Sequence, residues 1–451
     1  SNSNESIVMK EIETNVSRRK FIGGAATVAG AAAISFPAVI QGKEAKGETI
    51  RVGLIGCGGR GTGAASQIMN SPHNTKLVAV ADAFIDKAQG TVNRLKKQYG
   101  EKVVVDEGSM FAGFDAYKKV MEHGVDLVAI ATPPGFRPVH FEHAVNNGLH
   151  VFMEKPVGVD GPGIRRVLAA NKIAKEKSLL VAVGLQRRHQ PNYMETIKRL
   201  QDGAIGDILY MRSFWNGGGV WTRPRQADQT ELQYQMRNWY YFNWLCGDHI
   251  TEQHIHNLDV INWLKDGFPV EANGQGGREV RGNPANDANA KEHGEIFDHH
   301  FVEYKYADGT RMYSQCRHIK GCFNSVSEHA YGSKGESDIN RSTILPKQGD
   351  AWRFSGKRVS GHQQEQLDLV DTLVKGNIYN EGDYGAMSTL TSILGRYATY
   401  SGKTVTMDQA LNTKIQLCPD LDKLTWNSDA PTKPNADGLY DAPVPGKARV
   451  V

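Results

Sequence analysis

The chain has 451 residues, 40% of them hydrophobic and 23% charged, which suits a globular protein of two domains. Its formal net charge of +4 is too small to indicate nucleic acid or a membrane surface as a partner. The five cysteines form no C-x-x-C pair and no zinc-like spacing, so we expect no metal site and interpret the cysteines as packing residues.

The N-terminal segment resembles an export signal. Ser17-Arg18-Arg19-Lys20-Phe21-Ile22 precedes a mildly apolar run from Gly23 to Phe36 that is rich in Ala and Gly. A basic region followed by a short apolar run is typical of the twin-arginine route, and the run is too short for a membrane span. We therefore predict a signal region over residues 1–47 and a periplasmic location.

The next stretch predicts a dinucleotide site. Residues 50–55 are apolar and β-branched, as in a buried strand, and Gly56, Gly58 and Gly61 follow as G-x-G-x-x-G. These glycines allow a tight turn, the approach of a pyrophosphate and close packing of a helix that we expect to begin at about Thr62. A second strand ends at Asp82, where a carboxylate binds the ribose 2′-hydroxyl of NAD, and this context disfavours a purely structural glycine turn.

Further strands and helices then alternate. Strands are predicted at 103–105, 126–131, 150–153 and 179–183, with helices between them. The pattern indicates a doubly wound parallel sheet in a Rossmann domain over residues 48–183, with its ligand at the carboxyl ends of the strands. The candidate cofactor-binding residues in this domain are Gly56, Gly58, Gly59, Arg60, Gly61, Asp82, Thr132, Pro133, His140, Glu154 and Lys155.

The pattern changes after Gly184. Alternating strands and a hairpin turn at Asp308-Gly309 predict an α+β domain over 184–402 with a large, mostly antiparallel sheet. Its late helices, near 362–375 and 384–401, are expected to pack back on the first domain. Residues 403–451 read as a C-terminal extension.

Glu154-Lys155-Pro156 is the second informative motif. Pro156 biases Lys155 towards an extended conformation that aims its ammonium into the predicted crevice. A lysine beside a nicotinamide can polarise or protonate a hydroxyl or carbonyl oxygen. The alternative is an ordinary salt bridge at a strand end.

A third motif lies at residues 247–263. Read as one helix, it puts a polar stripe on one face, which consists of His249, Glu252, His256, Asp259 and Trp263. His256 is the candidate acid/base with Glu252 as its orienting carboxylate. A metal site is the competing interpretation, but neither H-E-x-x-H nor H-x-x-E-H is present. His254 points off the stripe and is expected to be structural.

Together, the glycine turn, Glu154-Lys155-Pro156 and a helix with His256 and Asp259 at i, i+3 resemble the Gfo/Idh/MocA oxidoreductase family. The resemblance implies that Lys155 and His256 act on a substrate hydroxyl, assisted by Glu252. The chain departs from the family pattern twice, since the family usually has Asp at position 252 and Gly at position 254. The resemblance also implies a homo-oligomer, a dimer or a tetramer. The resemblance further implies that the stretch Gly184–Arg188 lies at the nicotinamide and the substrate, so Gln186 is an additional cofactor-binding candidate and Arg187, Tyr193 and Asp259 are substrate candidates. Trp239 is a substrate candidate from the aromatic cluster between residues 215 and 244.

Aromatic and arginine side chains between residues 215 and 244 fit a sugar. Aromatic faces stack on pyranose rings and arginines bind hydroxyls, although such a cluster also packs loops and subunit interfaces. We therefore expect an enzyme with tightly bound NAD that oxidises a hydroxyl of a sugar or glycoside. The alternatives are redox-neutral glycoside cleavage through a transient 3-keto intermediate, suggested by the Gly58-Gly59-Arg60-Gly61 form of the turn, and sugar binding without turnover.

Overall fold

The computed structural model describes residues 48–451, so the signal region predicted over residues 1–47 lies outside the described residues. The first of its two sheets is parallel, with six strands in the order β3-β2-β1-β4-β5-β6. Its central strands are buried on both faces, as their continuous apolar runs predict. The strands are β1 (Ile50–Ile55), β2 (Thr75–Asp82), β3 (Met110–Ala112), β4 (Leu127–Ile130), β5 (His150–Met153) and β6 (Val181–Val183).

Five helices connect these strands and cover the sheet. They are α1 (Gly59–Met69), α2 (Ile85–Tyr99), α3 (Ala116–Met121), α4 (Arg137–Asn146) and α5 (Gly161–Glu176). The predicted sheet is confirmed, but two local predictions are wrong. Helix α1 begins at Gly59 rather than near Thr62, and the third strand is β3 rather than 103–105. At 103–105 the contact with the sheet is a single bridge between Val103 and Leu77, because a 3₁₀ turn at Gly100–Lys102 precedes it.

The second sheet has nine strands in the order β14-β13-β12-β11-β7-β10-β9-β8-β15. All its neighbours pair antiparallel except β7 and β10, so the predicted mostly antiparallel α+β domain is confirmed. Its strands are β7 (Ile208–Gly217), β8 (Glu271–Gly277), β9 (His299–Lys305), β10 (Arg311–His318), β11 (Ser325–Gly332), β12 (Gly335–Asp338), β13 (Thr343–Pro346), β14 (Trp352–Arg353) and β15 (Val405–Thr406).

The remaining helices are α6 (Pro191–Gln201), α7 (Glu231–Arg237), α8 (Asn243–Cys246), α9 (His249–Glu252), α10 (Ile255–Lys265), α11 (Gly361–Lys375), α12 (Gly382–Ser401) and α13 (Met407–Asn412). Helix α12 lies between the domains, against α5 on one side and α10 and β8 on the other, and is buried along almost its whole length. Helix α11 packs on α1.

The expected single helix over 247–263 is wrong, because the chain forms two helices, α9 and α10, separated at Gln253 and His254. The carbonyl of Glu252 accepts a hydrogen bond from Lys155 Nζ at 2.6 Å. The N–H of His256 donates instead to the carbonyl of Gln253 at 3.3 Å. The regular helical hydrogen bond from residue 256 to residue 252 is therefore not made, and the polar stripe is divided.

After α13 the chain runs in an extended path. It includes one 3₁₀ turn, Leu421–Lys423, and returns to the first domain, where Trp426 packs on Phe84 and Phe114 with ring centroids 5.0 and 4.6 Å apart. Among residues 48–451, no helix combines the length and apolar character needed to span a membrane.

Candidate active site

A cleft of about 470 Å³ lies between the carboxyl ends of the parallel strands and the second domain. It brings together most of the residues singled out from the sequence, from both domains. The predicted residues that line it are Gly56, Gly58, Gly59, Arg60, Asp82, Thr132, Pro133, His140, Glu154, Lys155, Trp239 and Glu252.

The glycine turn enters α1 from β1, and its glycines differ in their surroundings. Gly56 has a φ of +93°, and a Cβ there would lie 2.5 Å from the carbonyl carbon of Ala131. A Cβ on Gly61 would lie 1.8 Å from the carbonyl oxygen of Gly56, so this residue permits the close packing of α1 on the turn. Cβ atoms on Gly58 and Gly59 would meet no atom within 4 Å, so the backbone there is open to the cleft.

Asp82 stands at the end of β2, beside the glycine turn. Its Oδ2 accepts from the N–H of Cys57 at 2.8 Å and its Oδ1 from the N–H of Phe84 at 3.0 Å. Burial raises the pKa of Asp82, although these two hydrogen bonds act against the increase. Each oxygen keeps a second lone pair, so the carboxylate both braces the turn and can accept a ribose hydroxyl.

The wall at the end of β4 is held by a buried arginine. Arg137 donates to the carbonyl of Pro156 at 2.5 Å and also to the carbonyl of Thr132. Its burial lowers its pKa to about 10, which still leaves it charged at neutral pH. Thr132 Oγ1 lies 3.1 Å from His140 Nδ1, and burial lowers the pKa of His140 to about 3, so this imidazole is neutral.

Two buried carboxylates flank Lys155. Glu154 Oε1 accepts from Arg60 Nε at 2.7 Å, and Arg60 and Lys155 outweigh the effect of burial and hold the pKa of Glu154 below its ordinary value. Lys155 Nζ lies 2.6 Å from the carbonyl of Glu252 and 3.4 Å from its Oε1. Burial raises the pKa of Glu252 despite Lys155 and Arg137, and its Oε2 has no hydrogen-bond partner. The first carboxylate is thus held ionised, and the second is poised to take a proton.

His256 lies behind the cleft rather than on its lining. Its ring stacks on Trp215 at a centroid distance of 6.1 Å, and its Nδ1 has no hydrogen-bond partner. Burial, with a contribution from Lys155, lowers the pKa of His256 well below its usual range, so the imidazole is neutral.

Besides Gly61 and His256, four further predicted residues do not reach the cleft lining. Asp259 accepts both guanidinium donors of Arg188, at 2.9 and 2.8 Å, and the hydroxyl of Ser388 at 2.7 Å. Arg187 pairs with Glu328, which also accepts from Tyr193 at 3.3 Å. The polar atoms of these three residues are engaged in buried networks, and their contact with a substrate stays a prediction. The fourth, Gln186, lies against Gly361 with its Oε1 unpartnered.

The second domain closes the cleft with aromatic and basic side chains. Trp221 and Trp239 meet edge to face at 5.8 Å, and the guanidinium of Arg223 lies 4.8 Å from the Trp221 ring centroid. Arg237 pairs with Asp86 of the first domain through two contacts of 2.8 Å. This wall combines stacking surfaces with hydrogen-bond donors, while the neighbouring Tyr241 and Trp244 are buried and pack the loop.

Arg137 is a functional candidate that sequence reasoning missed. It stands at the start of a helix after Thr-Pro-Pro-Gly-Phe, where an arginine ordinarily faces solvent.

The exposed glycine backbone, the N-terminus of α1 and the Asp82 carboxylate fit a dinucleotide, with the phosphates beside Gly58 and Gly59.

Comparison with known proteins agrees with this fit. Residues 50–185 match the family model described as "Oxidoreductase family, NAD-binding Rossmann fold", so NAD is the cofactor of this domain. Among curated relatives, the chain is 25% identical over 227 residues to scyllo-inositol 2-dehydrogenase (NAD(+)) of Bacillus subtilis (strain 168), covering 50% of this chain and 57% of that protein. It is 31% identical over 222 residues to inositol 2-dehydrogenase of Rhizobium meliloti (strain 1021), covering 49% and 57%. The chain therefore spans about half the length of the curated relatives it matches.

Solved structures share the fold over most of both chains. Aldose-aldose oxidoreductase from Caulobacter crescentus, complexed with glycerol, superposes with a TM-score of 0.61 at 18% identity, covering 80% of this chain and all of that one. Levoglucosan dehydrogenase in complex with NADH and levoglucosan gives a TM-score of 0.61 at 15% identity with the same coverage. At these identities the likeness establishes the two-domain fold.

Proposed function

Since the chain belongs to the Gfo/Idh/MocA oxidoreductase family, we propose that it is an NAD-dependent dehydrogenase that oxidises a hydroxyl of a sugar, glycoside or cyclic polyol. The observation that carries the proposal is the position of Lys155. Its Nζ, bound to Glu252, lies on the wall of the same cleft as the open glycine backbone and Asp82.

The side chains around Lys155 supply the proton chemistry of an alcohol oxidation. NAD, when bound, accepts the hydride of the substrate carbon. Lys155 Nζ donates a hydrogen bond to the substrate oxygen and stabilises the negative charge that develops as the hydroxyl proton leaves. Glu252 receives that proton, since its Oε1 lies 3.4 Å from Lys155 Nζ and burial raises its pKa.

His256 has a secondary role in this proposal, after Lys155 and Glu252. Its neutral imidazole, with Nδ1 free, stays a candidate to exchange a proton with the substrate. Glu252 stands where the family usually has Asp, and its Oε1 lies 3.4 Å from Lys155 Nζ, whereas His256 is not part of the cleft lining.

The chemistry of the second-domain wall supports a polyhydroxylated substrate. Trp221 and Trp239 offer ring faces for C–H surfaces, and Arg223 offers donors for hydroxyls. The names of the matching relatives, which include inositol and sugar dehydrogenases, agree with this substrate class.

The test is a substrate panel of inositols, aldoses and alkyl glycosides with purified protein. We expect NADH absorbance to appear with at least one member, and to be lost in Lys155→Ala with NAD still bound. No reduction with any member, together with intact glycosides, would overturn the proposal. Mass spectrometry of the products separates net oxidation from the redox-neutral alternative, in which the sugar is released unoxidised and bound NAD is regenerated.

We also propose that NAD is retained between turnovers and that the protein is exported by the twin-arginine route as a homo-oligomer. Retention is supported by two contacts made by the cleft-lining residues Arg237 and Phe84. Arg237 pairs with Asp86, and Trp426 packs on Phe84. Protein that leaves gel filtration without NAD contradicts retention, and unchanged export of a precursor with Arg18→Lys and Arg19→Lys contradicts the route. Light scattering measures the oligomer.

A further inference from the structure

A second cluster of reactive side chains lies inside the second domain, away from the cofactor cleft. It consists of His249 at the start of α9, His300 in β9 and Cys316 in β10. Cys316 and His300 are direct partners in the antiparallel register of β9 and β10, so both side chains point to the same face of the sheet. All three residues are buried, and their ligand atoms lie within 4.8 Å of one another.

The imidazoles of this cluster lack hydrogen-bond partners. Neither ring nitrogen of His249 has one, although the residue is fully buried. His300 uses its Nδ1 with Thr399 Oγ1 at 2.9 Å, which leaves its Nε2 without a partner. Buried polar atoms are ordinarily satisfied, so three unpartnered nitrogens around one thiol require an explanation.

Asp248 supplies the negative charge that a cation would need there. Its Oδ1 lies 2.8 Å from His249 Nδ1 and 3.2 Å from His300 Nε2, although neither contact has the direction of a hydrogen bond. Its Oδ2 is fixed by the hydroxyl of Tyr400 at 2.5 Å and the N–H of Phe297 at 3.0 Å. The backbone of Asp248 has a φ of +72°, which is rare for a residue other than glycine and persists only where the surrounding structure imposes it.

We propose that His249, His300 and Cys316 bind one divalent transition-metal ion, with Asp248 beside them as an additional ligand or as their carboxylate partner. Two imidazole nitrogens and one thiolate form the N/S donor set that Zn²⁺ prefers, whereas Mg²⁺ and Ca²⁺ require mainly oxygen ligands. The carboxylate of Asp248 and the thiolate of Cys316 balance the two positive charges of the ion.

The position of this metal site gives it a structural consequence for the cleft. Helix α9 is one turn long, with His249 at its first position and Glu252 at its last. A metal ion that fixes His249 therefore fixes the turn whose end holds Lys155 through the Glu252 carbonyl. The second group of nearby ligands, Glu154, His362 and Glu365, borders the cleft itself, and Glu154 is already paired with Arg60 there.

The experiment measures metal content in the purified full chain and in two cysteine variants. Elemental mass spectrometry should find about one transition-metal ion per chain in the wild type. Cys316→Ser should retain at least ~10-fold less metal, while Cys246→Ser, which replaces a second buried thiol that contacts Asp248 N at 3.1 Å, should keep it.

Cobalt provides a readout on the wild-type protein itself, before any variant is compared. Wild-type protein stripped by chelator and reloaded with Co²⁺ under reducing conditions should show the near-ultraviolet charge-transfer band of a cobalt–thiolate bond. That band should be absent in Cys316→Ser and present in Cys246→Ser. Wild-type protein that holds no metal after purification and takes up neither Zn²⁺ nor Co²⁺ overturns the proposal. Bound Co²⁺ without the thiolate band, or equal metal loss in both variants, also overturns it.

Discussion

Lys155 Nζ donates a hydrogen bond of 2.6 Å to the main-chain carbonyl of Glu252, which joins the Rossmann domain to the second domain across the floor of the cleft. The carbonyl that accepts this hydrogen bond is the one that a continuous helix would offer to His256, and α9 ends at this residue. One contact thus holds the ammonium at the break between α9 and α10.

Lys155→Ala should lower kcat by at least ~10²-fold, because the loss of a positioned acid or base costs on that scale. NAD should remain bound, since the open glycine backbone and Asp82 are unchanged. Thermal unfolding checks that the loss of the Glu252 contact has not destabilised the chain. Lys118→Ala, which removes an exposed lysine paired with Asp115 at 2.7 Å, is the control and should turn over normally. A near-normal rate in Lys155→Ala would remove this residue from the mechanism.

The glycine turn allows binding and folding to be separated by two matched alanine substitutions. Gly58→Ala adds a Cβ with no protein atom within 4 Å, so the melting temperature of the apoprotein should stay unchanged while NAD affinity falls at least ~10-fold. Gly61→Ala forces a Cβ to 1.8 Å from Gly56 O and should cost about 1–3 kcal/mol of stability. Calorimetry measures both quantities, and equal destabilisation by the two substitutions would contradict these assignments.

Asp82 should determine the preference for NAD over NADP. Its carboxylate repels a 2′-phosphate. Lys87 lines the same cleft and can pair with that phosphate once the carboxylate charge is removed. Asp82→Asn keeps an acceptor for the turn but removes the charge, so NAD affinity should fall roughly 10–100-fold while NADP affinity rises. Asp202→Asn, which alters an exposed carboxylate paired with Lys198 outside the cleft lining, is the control. Titration of the apoprotein with each nucleotide reads the result, and an unchanged ratio for Asp82→Asn would contradict it.

The parallel sheet could be predicted because its signals are local. The chain carries these signals one after another: a buried strand at 50–55, the glycine turn, and an acidic residue about twenty positions later. Each signal lies in consecutive residues and predicts the local structure of that segment. Strand β3, by contrast, has three residues and only half-buried or exposed positions, so no periodicity identifies it.

The parts that sequence reasoning missed depend on distant contacts. At the break between α9 and α10, the carbonyl of Glu252 binds Lys155, which follows the end of β5. The helical periodicity of residues 247–263 cannot predict a contact with so distant a residue. Asp259 shares the predicted stripe, but Arg188 and Ser388 are distant in sequence and reach it only once the second domain has folded. The proposed metal ligands come from three separate elements, so no spacing motif was available to indicate them.

His140 should make the protein less stable in acid. Burial lowers its pKa to about 3 from an ordinary value of 6.5, with Arg137 adding to the effect. Below about pH 6.5 the unfolded chain therefore binds a proton that the folded chain does not bind. This histidine's contribution to stability is complete above that pH and is lost as the pH falls towards 3, at about 1.4 kcal/mol per pH unit.

His140→Gln keeps a polar partner for Thr132 and should reduce the slope of unfolding free energy against pH by about one proton. His123→Gln, at an exposed position, is the control and should keep the parental slope. Denaturant titrations between pH 4 and pH 7 measure the free energy of unfolding at each pH. Equal slopes for His140→Gln and the parent would show that the buried imidazole of His140 does not stay neutral in the folded protein.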